Sequence, residues 1–177
     1  MKILAAIFLL LFIFPQNGIS QDEGIGYDGF NAIRAGDHKS KFIKGLQPIK
    51  VLGPDTVRSK FYLYKPAAPQ QITIAGIRFD EAFLTFFNDE KLDSFHIFKE
   101  YVPATDSSKG PDPIDEFHKI KELLNTVLHS KGKMTNHSYK NTVLFRCTWK
   151  KNKRTVGLQI VYEITGFRKY NMSLGFN

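Results

Sequence analysis

Between Val143 and Ile164 apolar and polar side chains change places at almost every residue, and this pattern constrains the fold more than any other. Val143, Phe145, Cys147 and Trp149 alternate with Leu144, Arg146, Thr148 and Lys150. Val156, Leu158, Ile160, Tyr162 and Ile164 alternate with Gly157, Gln159, Val161, Glu163 and Thr165. A period of two is that of a strand with one buried face. The polar link Lys151-Asn152-Lys153 folds the two runs into a hairpin, and Gly166 turns the chain into a last strand. Tyr170, Met172, Leu174 and Phe176 share a face of that strand.

Just upstream the period lengthens. Ile114, Phe117, Ile120, Leu123, Leu124, Val127 and Leu128 fall on one side of a helix; Asp115, His118, Lys119, Glu122, Asn125 and His129 fall on the other. That is an amphipathic α-helix with one face on a sheet. Asp112 supplies the N-cap, Pro113 the first helical position, and Gly132 the expected stop.

The N-terminal half repeats this order more faintly. Asp37 starts a short helix carrying Phe42, Ile43 and Leu46, ended by Gly45 and Pro48. Strands follow at 60–64 and 72–74, then a hairpin of Glu81 to Phe87 and Leu92 to Tyr101 around the turn Asn88-Asp89-Glu90-Lys91. Pro103 to Pro113 forms a loop between the halves. Runs of strands after single helices predict an α+β domain over 37–177. It is expected as two helix-plus-antiparallel-sheet units, 37–102 and 112–177, with the helices on one side of the sheet.

Met1-Lys2 precedes twelve apolar residues, Ile3 to Phe14, and then a polar stretch from Pro15 with small residues at Gly18 and Ser20. This reads as a secretory signal peptide over 1–20. Twelve residues rise only about 18 Å as a helix, well short of a bilayer core of about 30 Å. A flexible leader is expected over 21–36, which carries Gly24, Gly26, Gly29 and Gly36. No later segment is apolar enough to span a membrane, so a soluble periplasmic or secreted chain is expected. Cys147 is the only cysteine, which excludes an internal disulfide and reads as a small buried hydrophobe.

The formal net charge of +8 favours anionic partners, but the lysines are spread out and read first as solubilising charge. The hairpin tip around Lys151 and Lys153 is the strongest basic cluster, a candidate for docking on anionic membrane or cell-wall surfaces. Nucleic acid is not expected as a partner. Asp115, His118 and Glu122 share a helix face, yet they also form the solvated stripe opposite the apolar one, and no metal or cofactor is assigned. No nucleophile elbow, His-Glu-x-x-His or phosphate-cradling loop is present, so no catalytic residue is assigned. A small hydrolase pairing His96 or His118 with a carboxylate is the rival reading.

Both faces of the first hairpin look apolar. Ala82, Leu84 and Phe86 oppose Phe83 and Phe87, while Phe95 and Ile97 oppose Phe98. Packing of the second face against the other half of the chain is expected; the sharper alternative makes Phe83, Phe87 and Phe98 an exposed partner-binding patch.

The segment Ile33-Arg34-Ala35-Gly36-Asp37-His38, the hairpin Phe79 to Ile97 and the segment Trp149 to Phe176 together resemble small exported bacterial α+β domains. Outer-membrane assembly lipoproteins of the small-protein-A type and the β-lactamase-inhibitory protein share this style. The chain departs from the lipoproteins in having no cysteine near Ser20 to carry a lipid. The resemblance implies a non-catalytic, protein-binding role in a bacterial envelope. Under that reading Asn136-His137-Ser138 and Asn171-Met172-Ser173 are chance matches to a glycosylation acceptor.

Overall fold

The computed structural model describes residues 24–30, 32–49, 59–67, 72–101, 111–163 and 169–177. The expected signal peptide and the loop 102–110 lie outside them. The described chain is dominated by one antiparallel sheet of eight strands. In chain order these are β3 (Leu46–Pro48), β4 (Ser59–Tyr64), β7 (Glu81–Phe87), β8 (Leu92–Tyr101), β9 (Lys133–Tyr139), β10 (Thr142–Lys151), β11 (Arg154–Glu163) and β12 (Lys169–Phe176). Two small hairpins, β1 (Gly29–Phe30) with β2 (Ile33–Arg34) and β5 (Thr73–Ile74) with β6 (Ile77–Arg78), stand apart from it.

The order across the sheet is β3-β4-β7-β8-β12-β11-β10-β9. This corrects the α+β expectation of two helix-plus-sheet units. The last strand, β12, pairs with β8 on one side and β11 on the other, fusing every large strand into a single sheet. The described residues hold one α-helix, α1 (Pro113–Val127), and one 3-10 helix at Lys39–Gly45. Alternation reports which face a residue takes, whereas pairing partners are set by backbone contacts between distant segments.

Local chemistry explains α1. Asp112 Oδ1 accepts from Ile114 N at 2.8 Å, and Pro113 occupies the first turn, where its missing N–H costs nothing. The helix stops earlier than Gly132. His129 adopts a left-handed φ of 49°, His129 N donates to Thr126 O, and Ser130 N donates to Asn125 O. These are the paired bonds of a Schellman cap, built here without glycine. Gly132 serves packing instead: a Cβ there would lie 2.3 Å from Cys147 Sγ. The Asn125 side chain completes the joint, accepting from Gly132 N and from Trp149 Nε1, both at 3.0 Å.

The expected first helix is also different. Its cap is His38, whose Nδ1 accepts from Ser40 N, while Asp37 Oδ2 accepts from Arg34 N and Lys41 Nζ. Gly45 ends it because the chain passes so close to Lys65 that a Cβ would meet its carbonyl oxygen at 2.3 Å. Where a flexible leader was expected, residues 24–36 form β1 and β2 and bury Ile25, Phe30 and Ile33. Phe30 packs on Phe95 and Phe176, which stack at 4.7 Å across the β8–β12 seam.

One face of the sheet therefore carries the core. Ala82, Leu84, Phe86, Phe95, Ile97, Leu158, Ile160, Met172, Leu174 and Phe176 point into it with Phe117, Ile120 and Leu124 of α1 and Phe42 of the 3-10 helix. Cys147 and Trp149 are buried there, so the cysteine is a packed hydrophobe whose thiol pKa burial raises. Glu116 ties α1 to this face: its Oε2 accepts from Lys99 Nζ and Tyr101 Oη, both at 2.5 Å.

Candidate ligand-binding trough

The opposite face defines the site. Among the described residues the second aromatic face is not packed away: Phe83 and Phe87 are 39% and 47% exposed. Phe98, half-buried, meets Phe83 edge-on at 4.9 Å between ring centres. Lys151 Nζ lies 5.8 Å from the Tyr27 ring centre, and Lys153 is exposed at the hairpin tip. Arg154 of the same tip donates to Asp93 O. The fold thus places Phe83, Phe87 and Phe98 together on the β7–β8 pair and leaves Lys151 and Lys153 at a separate hairpin.

Register builds the rest of this face. Across adjacent strands Lys133, Thr148, Gly157, Gly175, His96 and Phe83 are successive partners and so share one side. The neighbouring row runs Thr135, Arg146, Gln159, Ser173 and Phe98. With two glycines adjacent, the middle of the first row has no side-chain floor. A trough of about 890 Å³ opens there, lined also by Lys131, Lys150, Thr155 and Asn177.

The lining is cationic. Lys131, Lys133, Arg146 and Lys150 border the trough, and no Asp or Glu side chain does. Arg146 Nε and Nη2 both donate to Gln159 Oε1, at 3.1 and 2.6 Å, which fixes the guanidinium without neutralising it. His96 forms the inner wall, its ring over Gly175 so closely that a Cβ there would lie 2.5 Å from it. Burial, chiefly, lowers the His96 pKa, the Arg146 charge lowers it further, and a hydrogen bond with Asn177 opposes both. Its ring stacks toward Phe98 at 6.3 Å, so His96 stands between the trough and the aromatic patch.

The hydrolase reading asked for His96 or His118 beside a carboxylate, and His118 does lie near Glu122, on the exposed face of α1. The groups that bear on His96 are an amide, a guanidinium, a phenyl ring and a glycine. His38 Nε2 comes within 3.9 Å of Glu90 Oε2, but on an exposed surface with no cavity. Glu122 on the polar face of α1 pairs with Lys121 and accepts from Asn125, and among the described residues no three metal-ligating side chains converge. The sequence pointed to the aromatic patch and missed the trough. Its one legible trace was Gly157, an interruption in an otherwise side-chain-bearing strand. No described helix is long and apolar enough to cross a membrane. No protein-family model matches the chain, and no curated protein or solved structure is significantly similar to it.

Proposed function

We propose that this chain is an exported, non-catalytic binding protein of a bacterial envelope, and that it takes its ligand in the trough on the uncovered face of the sheet. The observation that carries the reading is a concave site of about 890 Å³ whose lining holds four cationic side chains and no Asp or Glu. Sites for small molecules are concave, preformed and furnished with a few converging polar groups. The lining offers the histidine in the wall no Asp or Glu side chain as an acidic partner, which favours recognition over turnover. Export rests on the apolar run Ile3 to Phe14 and the small residues at Gly18 and Ser20.

Native mass spectrometry tests the binding reading. Purified protein incubated with a metabolite extract should retain a small molecule and release it chemically unchanged. Filling the trough floor with Gly157→Val should prevent retention. Release of a converted product, or retention unaffected by Gly157→Val, would overturn the reading. Mass analysis of native material tests export: a mature chain still beginning at Met1 would contradict it.

A further inference from the structure

We infer that the trough recognises an oxyanion, a phosphate or carboxylate group carried by a small organic molecule, seated over Gly157 between Arg146, Lys133 and Lys150. This rests on the trough being a binding site and adds the chemistry of what enters it. Three independent features of the site carry it.

The first is Gly157 itself. Glycine inside a strand weakens it and marks close approach of a ligand or another backbone. At Gly175 the chain's own packing explains the glycine, because the His96 ring fills the place of a side chain. At Gly157 nothing lies within 4 Å of where a Cβ would be. Packing within the chain does not require a glycine there, and the free space sits at the centre of the cationic lining.

The second is charge. Some cations elsewhere are matched, as Arg34 is with Asp28 and Lys65 with Glu81, and others among the described residues, such as Lys44, Lys119, Lys140 and Lys153, enter no ion pair; what marks the trough is that four unpaired cations border one concavity. Among the described residues Lys131, Lys133, Arg146 and Lys150 enter no ion pair. A concave wall concentrates the field of such a group and raises the local concentration of anions. Arg146 is already oriented by Gln159, so little ordering remains to be done on binding.

The third is size. The trough greatly exceeds a bare phosphate, whose volume is on the order of 60 Å³ on the scale where one water takes about 30 Å³. The remaining space, bordered by His96, Thr155 and Asn177, leaves room for the uncharged body of the ligand.

The test is a ¹H–¹⁵N NMR titration with inorganic phosphate and with citrate, each against sodium chloride at equal ionic strength. The expected result is saturable shifts centred on the Gly157, Thr148 and Gly175 amides, with Kd on the order of 1 mM or tighter. Gly157→Val should abolish them while leaving the melting temperature at or above wild type. Should that variant melt early, the double variant Lys133→Gln with Lys150→Gln, both exposed positions, decides the matter by weakening binding by about tenfold. Response to phosphate alone assigns a phosphate ester, and response to citrate alone assigns a carboxylate. Identical shifts with chloride, no saturation with either probe, or unchanged affinity in the lysine variant would overturn the inference. Retention of a neutral molecule in the trough would overturn it too, while leaving the binding reading intact.

Discussion

A methyl group added at Gly132 would meet Cys147 Sγ at 2.3 Å and Trp149 Cε2 at 2.5 Å, whereas one added at Gly157 would meet nothing. The two glycines therefore predict opposite stability effects. Gly132→Ala should destabilise by about 1–3 kcal/mol, the usual cost of overpacking. Gly157→Ala should be neutral or stabilise by up to about 1 kcal/mol, because alanine loses less backbone freedom in a strand. Urea denaturation of both variants checks this; similar losses in the two would refute it. His96 supplies a pH dependence. Its folded pKa lies below the ordinary value of 6.5, mainly through burial. Its contribution is complete above about pH 6.5 and is lost as pH falls through that value toward the folded pKa. The drop in stability from pH 7.5 to 5.5 should shrink in His96→Gln, measured by denaturation at the two values. At this scale the sequence showed Phe83, Phe87 and Phe98 as a face in need of an explanation. It could not show Arg146, His96 and Gly157 as neighbours, because they lie on three different strands and up to 61 residues apart in the chain.

Elements with strong local signals matched their sequence readings closely. The hairpin β7–β8 runs Glu81–Phe87 and Leu92–Tyr101, and α1 begins at Pro113 behind Asp112. Turn residues, period and caps act within a few positions, so they are legible locally. Losing the α1 cap should be measurable: Asp112→Ala removes the acceptor for Ile114 N and should cost about 1 kcal/mol. Glu116 anchors the same helix from a site where its own side chain is 16% exposed and that of Lys99 is 15% exposed. Glu116→Gln should destabilise by about 1–3 kcal/mol, since it leaves a half-hidden ammonium without its counter-charge. A double-mutant cycle with Lys99→Met should recover part of that loss, and strict additivity would argue against the clamp. Strands with weak patterns were missed. In β9 every described side chain is exposed or half-exposed, so alternation had nothing to report. β1 and β2 are two residues each, too short to show a period, and their burial comes from Phe30 meeting Phe95 and Phe176.

For the whole molecule the decisive pairing is β12 between β8 and β11. A chain ending at Glu163 should lose its cooperative melt altogether, since both halves would present an unpaired inner edge and the Phe95–Phe176 stack would be gone. Survival of either half as a folded unit, seen by a sharp thermal transition in circular dichroism, would contradict the single-sheet account. The sequence alone determined the strongly patterned local states: the strands with clear alternation, where α1 starts, and which of their residues are apolar. Tertiary structure alone decided that the large strands make one sheet, that Ile25, Phe30 and Ile33 join its core, and that the opposite face gathers cations around an empty glycine. The division has a physical cause. Periodicity and capping are set by neighbours in the chain, while pairing and the placement of charge in a cavity depend on which distant segments meet and exclude water between them.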